Sequence, residues 1–462
     1  MREIFRRDRE PTREELIYDQ AGMIYRAWHI AEGRTRDILD FNLTEPTALE
    51  RQASTVITGK PNRSTRNSLV LALEAVSESF DAHDPSRENE LHDWNFAKAQ
   101  VKASAWFARR LRGDNLDPLE YIENTTGLKA EPISQDLIDS IHDEVSRRAA
   151  EDLNLAFIND KVLLGFKYDH GLTNAAAAAA LEARSERTLQ AIRRFLRENL
   201  DVSYRTSQEN VDAYWSAWSG TDPEGSRDFL LRQNFNTGQQ RVWTPGRAEE
   251  LGIHEPQHLA RMAKRKSLIR DKKLNSFFGL TTVHGPEPAV EEGLAQTLAY
   301  FVSEPTTDRK PPIPLFETLS PEGKFWITAT LLKTMAYANA HLMLNNPNGY
   351  NKEEVVEYIQ SNVPWESMDD IEQQIKWRTE NPLNQVYLFT YGKGAEMFLH
   401  YARALNERGK RILLQNIYLR PYTPAQTESL FQRISNNSSN LAKDQETPKT
   451  PSIPLTPDAS FA

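Results

Sequence analysis

The segments LGIHEPQHL (residues 251–259) and EEGLAQTLAYF (residues 291–301) decide how the rest of the chain is interpreted. In a helix, the histidines of an H-E-x-x-H motif, His254 and His258, lie one turn apart on one face, where both can bind one metal ion. Glu255 then lies beside the water that the metal holds, and Glu292, on the next long helical segment, can supply a third ligand. Two histidines and one glutamate form the ligand set of a catalytic zinc site whose fourth position is open to water. The sequence therefore predicts one zinc ion per chain, bound by His254, His258 and Glu292.

Three observations leave alternatives open. The chain has 10 histidines, so an H-E-x-x-H match can arise by chance on a surface helix. Pro256 lies inside the motif, where it removes a helical hydrogen bond and crowds the carbonyl of Gly252. The helix could therefore be kinked, or could begin near Pro256. Glu291 precedes Glu292, and either carboxylate could be the third ligand.

Composition and charge indicate which partners and metal ligands the chain can use. The net charge of -9 argues against nucleic acid as a partner, and charged residues make up an ordinary 26% of the chain. No apolar run follows the N-terminal residues 1–8, and no segment approaches the length of a membrane span, so we expect a cytoplasmic protein with no signal peptide and no membrane partner. The absence of cysteine leaves histidine and carboxylate as the strong metal ligands. The oligomeric state is not readable from the sequence.

Apolar residues recur at helical spacing along most of the chain, which predicts an all-α fold. Strong helix signals include an alanine run at residues 175–180 and the pair Ser320-Pro321, a capping residue followed by proline at the first helical position. Ser134 is a predicted N-cap, and further helices are predicted at residues 14–31 and 68–80. We expect two lobes, a helical N-terminal lobe (1–222) and a metal-binding helical lobe (223–435), followed by a disordered tail rich in Pro, Ser and Thr (436–462).

One stretch, residues 234–244, has the pattern of an extended strand just before the metal-binding helix. Gly238 allows close backbone approach, and an unpaired edge in a cleft can bind a peptide as an added strand. Arg241 would then point along the cleft toward a peptide carboxylate. The alternative is a closed hairpin whose edge is covered.

The H-E motif, the Glu-Gly-Leu-Ala run and the helical chain together resemble the gluzincin-like α-helical zinc metallopeptidases. These include the carboxypeptidase Taq type, the tyrosine carboxypeptidase-like proteins with a Gln-Glu-Gly-Leu-Ala motif, and a bacterial group with a His-Glu-x-x-Pro-Gly-His-His motif. The resemblance to the bacterial group continues in order through GYNKEE (349–354), WR (377–378), NPLNQ (381–385) and YGK (391–393), so that it covers residues 234–431. This chain differs in that Pro256 falls earlier in the motif and a single histidine, His258, follows at shorter spacing.

The resemblance implies His254, His258 and Glu292 as zinc ligands and Glu255 as general base. It also implies a hydroxyl donor for the developing oxyanion, for which Tyr391 and Tyr387 are the candidates, with Tyr391 in the catalytic role and Tyr387 as a substrate contact. Arg378 would bind a substrate carboxylate. The implied activity is zinc-dependent hydrolysis of peptides, by a carboxypeptidase rather than an endopeptidase. The alternative is a catalytically silent helical scaffold that binds a peptide or protein partner in the same cleft.

Overall fold

Fifteen α-helices make up most of the chain in the computed structural model, which describes residues 11–32, 39–44, 63–83, 85, 88–211, 216–236, 242–304 and 312–445. The predicted all-α class is confirmed. The helices are α1 (Arg13–Glu32), α2 (Arg63–Asp81), α3 (Glu88–Arg112), α4 (Pro118–Thr126), α5 (Gln135–Asp152), α6 (Asp160–Asp169), α7 (Asn174–Leu196), α8 (Pro245–Arg270), α9 (Glu287–Phe301), α10 (Pro321–Leu344), α11 (Lys352–Asn362), α12 (Met368–Glu380), α13 (Asn384–Ala404), α14 (Glu407–Leu419) and α15 (Pro424–Gln445).

Local capping explains where several helices begin. Ser320 caps α10, because its hydroxyl accepts a hydrogen bond of 3.0 Å from the backbone N–H of Gly323, and Pro321 occupies the first helical position as predicted. The alanine run lies in α7, whose N-cap Thr173 accepts from the N–H of Ala176 at 3.3 Å. Ser134 precedes α5 as predicted, although its side chain makes no capping hydrogen bond within the described residues.

Seven short strands form three small sheets in the described part of the chain. Strands β1 (Leu39–Asn42) and β5 (Leu280–Thr282) pair antiparallel, as do β6 (Ser303–Glu304) and β7 (Ile313–Pro314). The largest sheet has the order β2 (Tyr204–Glu209), β4 (Phe229–Asn234), β3 (Ala217–Thr221), with β2 parallel and β3 antiparallel to β4.

The strand predicted at residues 234–244 requires correction. Among the described residues of this stretch, 234–236 and 242–244, only Asn234, the last residue of β4, belongs to a strand, and β4 is the central strand of its sheet rather than an edge. The run Phe229-Leu230-Leu231 is buried, which places the strand earlier in the sequence. Beyond it, the carbonyl of Asn234 accepts a hydrogen bond of 3.0 Å from the indole of Trp243. Gly238 and Arg241 lie outside the described residues.

The predicted lobes share hydrophobic cores. The boundary at residue 222 falls in the turn between β3 and β4, and Leu181 on α7 belongs to the same buried cluster as Phe229 and Leu259. The predicted start of the tail at residue 436 is too early, because α15 continues to Gln445. Residues 446–462 lie outside the described residues.

Helix α8 is the buried centre of the fold and packs against α7, α9, α10 and β3. Nearly every side chain between Gly246 and Arg265 is buried. A helix buried around its whole circumference is core structure rather than a surface element.

Among the described helices, we find no helix with the length and apolar character needed to cross a bilayer.

Candidate metal centre

Helix α8 runs without interruption through the H-E-x-x-H motif, with Pro256 in its interior. Pro256 has no N–H to donate to the carbonyl of Gly252. That carbonyl instead accepts a hydrogen bond of 2.7 Å from the hydroxyl of Thr188. His254 is 9% exposed and His258 is 6% exposed. The alternatives of a helix that begins near Pro256 and of a surface helix are therefore both wrong.

The three predicted ligand atoms converge. His254 Nε2 lies 3.3 Å from Glu292 Oε2 and 3.3 Å from His258 Nε2, and His258 Nε2 lies 3.7 Å from Glu292 Oε2. Ligand atoms bound tetrahedrally to zinc at about 2.0–2.1 Å are about 3.3–3.4 Å apart, so a point about 2 Å from all three atoms exists here. Among the described residues, these side chains form a group that could hold a metal ion. The donor set fits zinc in both spacing and chemistry.

The environment of Glu292 also fits a bound cation. Its Oε1 accepts a hydrogen bond of 2.6 Å from the hydroxyl of Tyr387. Apart from the two imidazole nitrogens that face it, no donor reaches the buried Oε2 in the part of the chain that the structure describes. Three atoms with lone pairs at this spacing repel one another unless a proton or a metal cation lies among them.

Glu291 and Glu292, the two carboxylates that the sequence left as alternatives, have different positions. Oε2 of Glu291 lies 3.3 Å from Nδ1 of His258, on the side of the ring away from the ligand atoms, and its Oε1 forms an ion pair with Arg261. A carboxylate bound to the second nitrogen of a metal-binding histidine fixes the orientation of the ring. We therefore assign Glu292 as the candidate ligand and Glu291 as its supporting carboxylate.

The charges around His258 favour a cation. Burial alone would lower the pKa of His258, but the carboxylates of Glu292 and Glu291 outweigh burial and raise it to about 10. Burial likewise works to raise the pKa of Glu291, yet Arg261 and His258 hold it at about 2. Both carboxylates thus remain negative and attract positive charge to the ligand atoms.

Glu255, the predicted general base, is buried beside β3. Its Oε2 accepts a hydrogen bond of 2.9 Å from the hydroxyl of Ser219, which lies in the middle of that strand. Strand β3 is at one edge of its sheet and packs against α8. The extended element beside the metal helix is therefore β3, and Ser219 fixes one oxygen of Glu255. No motif in the sequence distinguishes Ser219 from other serines.

Tyr387 and Tyr391 lie one turn apart on α13 and both reach the site. Tyr387 donates to Glu292, and the hydroxyl of Tyr391 donates to that of Tyr387 at 3.1 Å. The ring of Tyr391 is nearly parallel to that of His254, with 6.4 Å between ring centroids. Tyr387 thus orients the candidate ligand Glu292, which differs from its predicted role as a substrate contact. Tyr391 lies next to the candidate ligand His254.

Two close glycines allow this approach of α13 to α9. A Cβ atom on Gly293 would overlap the backbone of Gly394, and one on Gly394 would overlap the carbonyl oxygen of Ala289. The two helices therefore cross with their backbones in contact. The glycine that follows Glu292 is required for packing at this crossing.

Arg378 does not lie where a substrate carboxylate could reach it. The side chain is 4% exposed, with its guanidinium over the ring of Tyr337 and Nη1 3.4 Å from the carbonyl oxygen of Leu388. Its Nη1 is also 3.4 Å from Nδ1 of His341. The predicted substrate-binding role of Arg378 does not fit this burial, and Arg241 lies outside the described residues.

A cavity lies next to His254, between α8, α9 and α10. Its polar wall includes the carboxylate of Glu250, which is paired with Arg247, and burial raises the pKa of Glu250. The remaining wall is largely apolar. The other lining residues are Ile253, Ala295, Gln296, Ala299 and Ile327.

Comparisons with known proteins identify the fold but no family. No protein-family model and no curated protein matches the chain. The structure is similar to the crystal structure of a protein described as a candidate lipoprotein from Colwellia psychrerythraea, with a TM-score of 0.50 and 11% identity. The match covers 85% of this chain and 73% of the other. At this identity the similarity is one of fold alone.

Proposed function

We propose that this chain is a zinc-dependent peptidase that hydrolyses a peptide or peptide-like amide bond. The observation that carries the proposal is the convergence of His254, His258 and Glu292 on one point, with Glu255 on the same helix as the two histidines. Zinc supplies a water of lowered pKa and polarises the carbonyl that is attacked. The resemblance to the helical metallopeptidases adds the expectation that the enzyme is a carboxypeptidase. The cytoplasmic location is a prediction from the sequence.

Glu255 is assigned the proton transfers. Its carboxylate accepts a proton from the attacking water as the new C–O bond forms, and returns the proton to the leaving nitrogen as the C–N bond breaks. The hydrogen bond from Ser219 holds one oxygen of Glu255 and leaves the other for this transfer. The Tyr391 hydroxyl is the candidate donor to the charge that develops on the carbonyl oxygen.

A second candidate is favoured by the burial of the site. The ligands and Glu255 all belong to the buried core of the described chain, which restricts the approach of a peptide. A helical scaffold that keeps the metal for stability and binds a peptide or protein partner would have the same geometry. Carboxypeptidase activity in particular rests on the resemblance, because the described position of Arg378 gives it no support.

Metal analysis and one conservative substitution test the proposal. We expect the purified protein to contain about one zinc ion per chain and His258→Ala to lose it. Glu255→Gln should keep the zinc and lower the turnover of peptide substrates by about 10²-fold or more. Glu182→Gln, an exposed glutamate on α7, is the control and should retain activity.

Four outcomes would contradict parts of this scheme in different ways. A wild-type protein that takes up no zinc on reconstitution removes the metal site. Full activity in Glu255→Gln removes the assigned base. Tight zinc binding without hydrolysis of either free-carboxylate or C-terminally amidated peptides favours the scaffold, and equal rates on both kinds of peptide favour an endopeptidase.

A further inference from the structure

Buried charged side chains extend in a line from the candidate ligand His258. Glu291 lies between His258 and Arg261, and Arg261 Nη2 donates to Glu287 Oε1 at 3.1 Å. Arg265 forms a second ion pair with the same oxygen of Glu287. All five residues are buried. Buried charges are costly to leave unpaired, so each member constrains the position of the next.

The role of Glu291 follows from the chemistry of imidazole. Nε2 of His258 faces the other ligand atoms, so it must present its lone pair there for His258 to bind a metal. The ring hydrogen must then be on Nδ1, and Glu291 Oε2, at 3.3 Å, is the acceptor for it. A carboxylate that rotated away from Nδ1 would leave the ring free to turn.

Arg261 forms the ion pair on the other oxygen of Glu291. Its side chain is fully buried, and all three guanidinium nitrogens have defined partners: Nη1 pairs with Glu291, Nη2 donates to Glu287, and Nε donates to the carbonyl oxygen of Ile417 at 3.1 Å. Glu291 and Glu287 belong to α9 and Ile417 to α14. The planar guanidinium is thus held by two helices, an arrangement that the single ammonium of lysine cannot reproduce.

We propose that Arg261 is a positioning residue of the metal centre, which fixes Glu291 so that this carboxylate holds the hydrogen on Nδ1 of His258 and leaves Nε2 for the metal. The inference rests on the proposed metal site. It also gives α14 a role in positioning the site, because the carbonyl oxygen of Ile417 accepts the hydrogen bond from Arg261 Nε. Arg261 acts on the candidate ligand His258 through Glu291.

Arg265 provides a matched control. It is a buried arginine one turn further along α8, it pairs with Glu287, and Nη1 donates to Thr281 at 3.1 Å. The charge of Arg265 also favours the ionised form of Glu291, but among the described residues the direct ion pair with Glu291 belongs to Arg261. A purely structural need for buried positive charge would make the two arginines equivalent, whereas the positioning role belongs to Arg261.

Zinc affinity, measured by chelator competition with zinc alone, separates these roles. Arg261→Met and Glu291→Gln should each weaken zinc binding by about 10- to 100-fold, the effect typical of lost support for a metal-binding histidine. Arg265→Met should change the affinity far less. Because Arg261 acts through Glu291, the double variant Arg261→Met/Glu291→Gln should bind zinc no more weakly than Glu291→Gln alone. The double variant also removes both buried charges together, which protects the fold if Arg261→Met alone unfolds.

A second readout does not depend on zinc. The proton on Nδ1 of His258 should give an exchange-protected NMR signal in the metal-free wild-type protein, assigned by its loss in His258→Ala. It should disappear or exchange rapidly in Arg261→Met. Equal loss of zinc affinity in Arg261→Met and Arg265→Met, additive losses in the double variant, or an unchanged Nδ1 signal would overturn the positioning role. A wild-type protein with the protected signal but no zinc binding would instead overturn the proposed function and leave Arg261 in its assigned role.

Discussion

The hydroxyl of Thr188 on α7 lies 2.7 Å from the carbonyl oxygen of Gly252 on α8. That carbonyl would ordinarily accept from the N–H of residue 256, which is proline and has none. The backbone of Gly252 comes so close to α7 that a Cβ atom there would lie 2.7 Å from Cβ of Arg184. A neighbouring helix thus supplies the hydrogen bond that Pro256 removes, and α8 continues through both histidines.

Thr188→Val should destabilise the protein by about 1–3 kcal/mol, because it keeps the side-chain volume and leaves the buried Gly252 carbonyl without a donor. Urea unfolding measures the change. The control is Thr297→Val. Thr297 is equally buried and bonds, at 2.8 Å, to the carbonyl of Gly293 four residues earlier in its own helix, just as Thr188 also reaches the carbonyl of Arg184 at 3.0 Å. Equal losses in both variants would show that the Thr188 bond does not compensate for Pro256.

Tyr387→Phe and Tyr391→Phe should have separable effects. Tyr387 donates to the ligand Glu292, so its loss should weaken zinc binding by about 10-fold. Tyr391 donates to the hydroxyl of Tyr387 and is the candidate oxyanion donor, so Tyr391→Phe should keep the metal and lower kcat. Chelator competition measures the zinc affinity of each variant, and steady-state kinetics measure its kcat. Zinc loss in Tyr391→Phe with normal turnover of the remaining holoenzyme would reverse these assignments.

Features of short range were the ones that the sequence could predict. The start of α10 at Ser320-Pro321 depends on residues within one turn, and the facing of His254 and His258 depends only on helical spacing. The convergence of Glu292 was predicted from the chemistry of a zinc ligand set rather than from spacing. The choice between Glu291 and Glu292 required the packing of α9 on α8.

Contacts between distant segments could not be predicted. Ser219 meets Glu255 across 36 residues, and Tyr387 meets Glu292 across 95. Serine and tyrosine are common, and no local pattern marks the ones that reach a site. For Arg378 the sequence predicted a role in substrate binding, because arginine is usually exposed. In the structure Arg378 is buried, with its guanidinium over the ring of Tyr337 and near the carbonyl of Leu388.

The stability of the protein should fall in acid in part because of His284. Its ring is stacked on that of Phe107 at 4.3 Å between centroids, and burial lowers its pKa from 6.5 to about 3. Between those values the unfolded chain binds a proton that the folded chain does not, so stability is lost as pH falls from about 6.5 toward 3, by up to about 1.4 kcal/mol per pH unit. His284→Phe keeps the aromatic stacking and removes this loss.

The test compares the free energy of unfolding of wild type and His284→Phe at pH 7, 6 and 5. The difference should shift in favour of the variant as the pH falls, even if the variant is less stable at pH 7 because it lacks the contact of His284 Nε2 with the Ser104 hydroxyl at 3.1 Å. A difference that does not change with pH would mean that the folded protein accommodates a charged His284.

Gly394→Ala should disturb both the fold and the metal site, because the added Cβ would overlap the carbonyl oxygen of Ala289 and force α13 away from α9. Overpacking of this kind typically costs about 1–3 kcal/mol or more. The displacement should also draw Tyr387 away from Glu292, so zinc affinity should fall together with stability.

Gly165→Ala is the control, since Gly165 lies in α6, has no atom within 4 Å of the added Cβ and has no positive φ. That substitution should stabilise the protein by about 0.5–1 kcal/mol through helix propensity and leave zinc binding unchanged. A Gly394→Ala protein with wild-type stability and zinc affinity would show that the two helices do not depend on backbone contact at this crossing.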